Sequence, residues 1–382
     1  MCYGPAMRRI VAGFVLFCAC ASDAPAFSPA PSGPAKEPAS TEPAPPSTSS
    51  SGGMNAMPAD AGTTTAPTST STLSDASAPP TSLATDVPPA SSPFFITVAG
   101  QTAWVHDEHS PAGYFNTYDS LDVGRGDRHK VFVFLPRSYG AGTRDLPVLV
   151  MNDGDTTFFN GGPAHKTWDM QRVLSELYAA HRTREFAIVA IVPIEREREY
   201  THTAWAPGHA CCGLDAYVSY VADGVLPWIM AQYRFSPRAA DHVIAGSSHG
   251  GLASFRMATV RPDAFRHALA MSPSFWVGLD LGYFGGALRN AALVTSVATT
   301  LGDITTRPSF WIDWGLVRDG GLQNSVIEAM AASRGSEMAD LLRSDFHYAS
   351  SELQTQEDPM GAHDESSWSR RIATPLASLF AP

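Results

Sequence analysis

Basic residues are scarce. Against 37 Asp and Glu the 382-residue chain sets only 26 Lys and Arg, a net charge of −11. With no basic patch, nothing marks a surface for nucleic-acid phosphates, and the acidity favours solubility rather than any particular partner. Cysteine is scarcer still. Of five, Cys2, Cys18 and Cys20 fall at the N-terminus, leaving only Cys211 and Cys212 for a folded domain. That excludes a disulfide framework. His202, His209 and these two cysteines do not supply four ligands at usable spacing, so no metal centre is expected. A vicinal disulfide or a buried loop is the expectation for Cys211-Cys212. No phosphate loop or dinucleotide fingerprint is present, and no cofactor is called for. The apolar run Ile10 to Ala19 is too short to span a bilayer comfortably.

That run follows Arg8 and Arg9, the charge-then-apolar order of a secretory signal, with Met7 as an alternative start. Two processing readings stay open. Phe17-Cys18-Ala19-Cys20 resembles a lipobox, which would make Cys20 a lipidated residue and anchor the chain to a membrane. Ala19-Cys20-Ala21 also fits a cleavage site that would release it. From Ser22 to about Ser92 the chain is Pro, Ser, Thr, Ala and Gly with almost no aromatic residue. Such a segment cannot bury enough apolar surface to offset its ordering entropy. We expect a signal over 1–21, a disordered tether over 22–92 and one folded domain over 93–382, exported to the envelope or secreted.

In that domain, Pro93–Val98 and Thr102–His106 read as a hairpin. Strands are expected at His129–Leu135, Leu146–Met151, Phe186–Val192, His267–Met271, Ser309–Asp313 and Phe346–Ser350. Helical spacing occupies Trp168–Ala180, Leu214–Tyr233 (despite Pro227), Leu252–Val260, Gly321–Ser333 and Ser366–Phe380. Apolar strands alternating with helices predict a mostly parallel, doubly wound α/β sheet with antiparallel strands at its start. The site of such a sheet lies at the carboxyl ends of its strands.

One of those ends carries Gly246-Ser247-Ser248-His249-Gly250. Chance alone supplies about 0.2 Gly-x-Ser-x-Gly pentapeptides in a chain of this composition, so the motif needs its context. Here a strand runs into it and a helix leaves it, as a nucleophile elbow requires. Ser248 is the candidate nucleophile, and the helix start behind it places N–H groups near a developing oxyanion. A serine needs a base, and the base needs an acid, in the order Ser, Asp or Glu, His. His363 is the candidate base, in the loop Met360-Gly361-Ala362-His363 before the last helix. His347 lies in a strand pattern and reads as structural. For the acid, Asp313 ends a strand and Asp319 lies in the following loop. Asp319 is preferred and Asp313 stays open.

VFVFLP (131–136), LPVLVMNDGD (146–155), EREYT (197–201), LPWIMAQYRF (226–235), IAGSSHGG (244–251), RPDAFRHALAMSPSFW (261–276), the segment 309–319 and GAHDESSWSRRI (361–372) follow one another in a specific order and spacing. Over about residues 129 to 380 the chain resembles the putative esterase family of α/β-hydrolases, which includes esterase D-like, feruloyl, enterochelin-type and mycolyltransferase members. The resemblance implies an α/β-hydrolase fold and carries the nucleophile onto Ser248, the base onto His363 and the acid onto Asp319. The spacing from Gly315 to Asp319 is one residue longer than the family's, which keeps Asp313 in play. The implied oxyanion hole is the backbone N–H of His249 and of Asp155, whose carboxylate must then point elsewhere. Asp153 and Trp276 are candidates for substrate contact, as is Trp168, although both tryptophans also fit a core. The implied activity is serine-dependent hydrolysis of a carboxylic ester, small or polysaccharide-linked. An acyltransferase on the same fold and a non-catalytic surface binding protein are the rivals.

Overall fold

A computed structural model describes residues 83–295, 298–303, 305 and 307–382. The expected signal, Cys20 and most of the expected tether lie outside the described residues. The strands are β1 (Phe94–Val98), β2 (Gln101–His106), β3 (Gly113–Leu121), β4 (His129–Pro136), β5 (Val148–Met151), β6 (Ala187–Ile191), β7 (His242–Ser247), β8 (His267–Met271), β9 (Ser309–Gly315) and β10 (Leu353–Asp358). The helices are α1 (Gly154–Thr157), α2 (Met170–Ala179), α3 (Arg196–Tyr200), α4 (Leu214–Tyr220), α5 (Leu226–Gln232), α6 (His249–Val260), α7 (Ala292–Thr295), α8 (Ala298–Gly302), α9 (Ala329–Ser344) and α10 (Glu365–Leu379). No helix among the described residues is long and apolar enough to cross a membrane.

The ten strands among the described residues form one sheet in the order β1-β2-β3-β4-β6-β5-β7-β8-β9-β10. β1 to β4 are antiparallel, β4 meets β6 antiparallel, and β6 onward is parallel. This is the expected α/β-hydrolase arrangement. The inner parallel strands β5, β6 and β8 are almost wholly apolar because both faces are covered. Side chains alternate between the faces with period two. On β5, Val148 and Val150 join one core with Leu214, Leu252 and Met338. Leu149 and Met151 join the other, with Leu174, Ile372 and Leu376. Thus α4, α6 and α9 cover one face, and α2 and α10 the other.

Four expectations shift. β3 escaped notice because its Asn116 and Thr117 interrupt the apolar pattern, yet both are buried, with Asn116 Nδ2 donating to the Tyr233 hydroxyl at 3.3 Å. The last strand is Leu353–Asp358, not Phe346–Ser350. It is a polar edge strand beside β9, recognisable only from its partner. His347, at φ 54°, lies in the connection between α9 and β10 rather than in a strand. The helix expected from 321 enters as a π-helical turn, Gln323–Glu328, and runs on through α9. A second π-helical turn, Val221–Val225, joins α4 to α5, and Pro227 follows it at the start of α5, where the Asp223 carbonyl four residues earlier accepts from Arg125 Nη2 at 3.3 Å. The domain boundary also moves towards the N-terminus. Thr85 donates to the Gln232 carbonyl at 2.8 Å and Asp86 pairs with Arg234, so part of the segment assigned to the tether packs on the domain through polar side chains that composition does not reveal.

Candidate active site

Ser248 stands between β7 and α6 with φ 54° and ψ −123°, a conformation rare for any residue with a Cβ. The turn is held by crowding and by backbone bonds. A Cβ on Gly246 would come 2.5 Å from the Gly250 backbone, which no side chain tolerates. The Ser248 N–H donates to Met271 O at 3.0 Å, and its carbonyl accepts from Ser274 N–H at 3.0 Å. Asn152, at the end of β5, donates from Nδ2 to the Gly250 carbonyl at 3.0 Å and accepts from the Tyr217 hydroxyl at 2.8 Å. The strained loop is therefore tied to both neighbouring strands. Ser248 Oγ lies 3.2 Å from Ser274 Oγ.

His363 lies on the loop from β10 to α10. Its backbone N–H donates to Asn324 Oδ1 at 2.9 Å, and its Nδ1 lies 2.5 Å from Glu328 Oε2. Asp364 caps α10 by accepting the Ser367 N–H at 2.8 Å, which fixes where the loop ends. Glu328 is the last residue of the π-helical turn before α9 and is fully buried. Its other oxygen accepts from the Ser272 hydroxyl at 2.9 Å and from the Gly315 N–H. Burial pushes the Glu328 carboxyl up. The bond to His363, the charge of that ring, the Gly315 N–H and the Ser272 hydroxyl outweigh it and hold the group below its ordinary value. Ser272-Pro273-Ser274 thus touches both halves of the site, Ser272 at Glu328 and Ser274 at Ser248.

The structure sets a different carboxylate against His363 from the two expected. Asp319 is exposed on its loop, where its carbonyl accepts from Asn324 Nδ2 at 2.6 Å, and the carboxylate on His363 belongs to Glu328. Asp313 is buried but already committed: Arg371 Nη2 donates to it at 2.9 Å and Trp311 Nε1 at 3.0 Å. Glu328 obeys the chain order used for the acid. It lies among helical residues beyond the loop after β9, so no local signal in the sequence marks it.

Residues 124–379 match the profile of the family described as "Putative esterase". The chain belongs to this esterase family. Over 171 residues it is 26 % identical to a siderophore triacetylfusarinine C esterase of Aspergillus fumigatus, covering 41 % of this chain and 54 % of that protein. The chain thus spans about half the length of that curated relative. An IroE-like serine hydrolase from Shewanella oneidensis superposes with a TM-score of 0.54 at 17 % identity, covering 70 % of this chain and 80 % of the other. A siderophore hydrolase, EstA, from Aspergillus nidulans gives 0.52 at 17 % identity, covering 72 % and 98 %. At these identities the two structures bear on the fold alone.

The remaining candidates of this esterase-family domain divide. Asp155 and His249 follow the neighbouring parallel strands β5 and β7. Burial, then the charge of Asp153, pushes the Asp155 carboxyl up. The His249 imidazole is buried and held neutral, its pKa driven far down by burial and then by Arg196 and His363. Asp153 is not a free substrate contact. Both its oxygens are taken by Arg196, at 2.7 Å from Nε and 2.8 Å from Nη2. Its own N–H donates to the Tyr200 hydroxyl at 3.0 Å. Arg196 Nη2 also reaches the Ser247 carbonyl at 3.4 Å, so one side chain spans the loop before Asp155 and the strand end before Ser248. Arg196 lies one residue before the stretch 197–201 that resembles the family, and no role was expected of it. Trp276 is buried, its ring 5.8 Å from His249 and 6.2 Å from Trp205, so it backs the nucleophile loop from within the core. Trp168 is buried against Trp368. Cys211 and Cys212 form a vicinal disulfide, and Glu197 joins that loop to α3 by accepting from Trp205 Nε1 at 2.9 Å and bonding His209 Nδ1 at 3.2 Å.

Proposed function

We propose that this protein is a serine hydrolase of carboxylic esters, working through Ser248, His363 and Glu328. The observation that carries the reading is the buried Glu328 carboxylate on His363 Nδ1. That bond leaves Nε2 as the basic nitrogen, which is the tautomer a general base needs. Ser248 Oγ attacks the ester carbonyl as its proton passes to His363 Nε2. Glu328 stabilises the imidazolium that results. The oxyanion is held by the backbone N–H groups of His249 and Asp155, each worth about 3 kcal/mol in such sites. Collapse of the tetrahedral intermediate expels the alcohol, which takes the proton from His363. Water, activated by the same nitrogen, then attacks the acyl-Ser248 ester and releases the acid.

The family and the siderophore triacetylfusarinine C esterase among its relatives support an ester of a small molecule as substrate. Export is supported by the charge-then-apolar N-terminus and by the Cys211–Cys212 disulfide, since such bonds persist in oxidising compartments. Cys20 would be the lipid attachment point if the lipobox reading holds.

Intact-mass labelling with a fluorophosphonate tests the reading. The wild-type chain should take one adduct, and Ser248→Ala and His363→Ala should take none on the same timescale. A folded wild type that takes no adduct would sink the triad.

A further inference from the structure

Ser272 is the first residue after β8, fully buried and held at φ 42°. Its hydroxyl has three neighbours: Trp368 Nε1 at 3.0 Å, Arg371 Nη2 at 2.8 Å and Glu328 Oε1 at 2.9 Å. An indole N–H and a guanidinium can only donate. They occupy both lone pairs of the Ser272 oxygen, so its single proton has one destination, Glu328. The hydroxyl cannot rotate away without stranding a buried donor. Arg371, itself buried, is in turn fixed by Asp313, from Nη2 at 2.9 Å and from Nε at 3.2 Å. Asp313 also accepts from Trp311 Nε1 at 3.0 Å.

We propose that Ser272, oriented by Arg371 and Trp368, is a positioning residue that aims the Glu328 carboxylate at His363 and keeps it ionised. This rests on the Ser248–His363–Glu328 reading and extends it by one layer. The geometry accounts for each carboxylate oxygen. Oε2 is left to His363, because Oε1 is filled by Ser272 and the Gly315 N–H. Without the Ser272 proton, Oε1 keeps one donor and the carboxylate can swing about its terminal torsion, taking Oε2 off the imidazole. The Asp313–Arg371 pair is then a support for Ser272, which explains why a buried aspartate so near the site is not itself the triad acid. The pair lies at one remove, its charges largely cancelling, and reaches Glu328 through a neutral hydroxyl.

The test uses the full chain, a p-nitrophenyl ester as probe, and the variants Ser272→Ala and Ser272→Gly. The glycine variant suits the positive φ and keeps the test valid if the alanine variant folds poorly. Losing a hydrogen bond to a charged group predicts that kcat falls about tenfold with KM unchanged. The same substitution in a Glu328→Gln background should have no further effect, because a residue acting through Glu328 has nothing left to act on. In wild type the His363 Nδ1–H proton should resonate far downfield in the NMR spectrum, and Ser272→Ala should move it upfield. Wild-type kcat in both Ser272 variants, or an equal loss in both backgrounds, would overturn the proposal while Ser248→Ala still abolishes turnover. Turnover that survives Ser248→Ala would overturn the triad reading itself.

Discussion

The Nδ1 of His363 lies 2.5 Å from Glu328 Oε2, and Glu328 is fully buried while Asp319, nine residues earlier, is exposed. A carboxylate can orient an imidazole and stabilise its charge only in contact with it. Glu328→Gln should therefore keep the fold and lower kcat on the order of 10⁴-fold, by favouring the wrong imidazole tautomer. Asp319→Asn should stay within twofold, roughly, of wild type, as surface changes usually do. Steady-state kinetics of the two variants decide the acid directly. The reverse ranking would restore Asp319.

Arg196 predicts a different pattern of loss. It grips both oxygens of Asp153 and touches the Ser247 carbonyl, so it sets the distance between the two loops proposed to hold the oxyanion. Arg196→Gln leaves a buried carboxylate without its partner. Breaking a buried pair costs about 3–5 kcal/mol, and with a third of the Arg196 side chain in solvent about 2 kcal/mol is the better expectation. Urea denaturation measures it. In kinetics, kcat should fall by about 10²-fold from misplaced donors, with a smaller change in KM. A large rise in KM alone would make Arg196 a substrate contact instead.

Ser248 and His363 stood out as candidates in the sequence because their signals are local: a glycine-rich turn between a strand and a helix, and a loop before the last helix. The inner parallel strands β5, β6 and β8 were legible because burial on both faces makes them apolar. Glu328 was not, because its role depends on how the π-helical turn at Gln323–Glu328 lies against the loop of His363, and that is tertiary. Arg196 was hidden for the same reason: its partner Asp153 is on another strand end, 43 positions away. β10 was hidden because LQTQED on an edge needs no apolar alternation, so its backbone pairing with β9 is its only mark.

His202 makes stability depend on pH. Its imidazole is largely buried, its Nδ1 finds no partner among the described residues, and its pKa is pushed down to about 4 by burial and then by Arg256. In the unfolded chain the ring titrates near 6.5. Between these values the unfolded state binds a proton that the folded state does not. The contribution is therefore complete above pH 6.5 and is lost progressively as pH falls towards 4. His202→Gln should flatten this decline. Urea midpoints at pH 7 and pH 5 should differ less in the variant than in wild type. An unchanged difference would mean that His202 is protonated in the folded state.

Gly315 ends β9 where the backbone of the His363 loop crosses it. A Cβ there would meet Gly361 O at 2.2 Å and Gly361 C at 2.4 Å, both backbone atoms that cannot turn aside. The Gly315 N–H also donates to Glu328, so the same displacement pulls on both the acid and the base. Gly315→Ala should separate β9 from the loop and cost about 10²-fold in kcat, as misplacement by an ångström does in other sites. Gly302→Ala serves as the control. It ends α8 with nothing among the described residues within 4 Å of the new Cβ and should leave both kcat and the melting temperature close to wild type. If Gly315→Ala melted like wild type and kept its kcat, the close crossing of β9 and the His363 loop would be wrong, and with it the route by which Glu328 is held against His363.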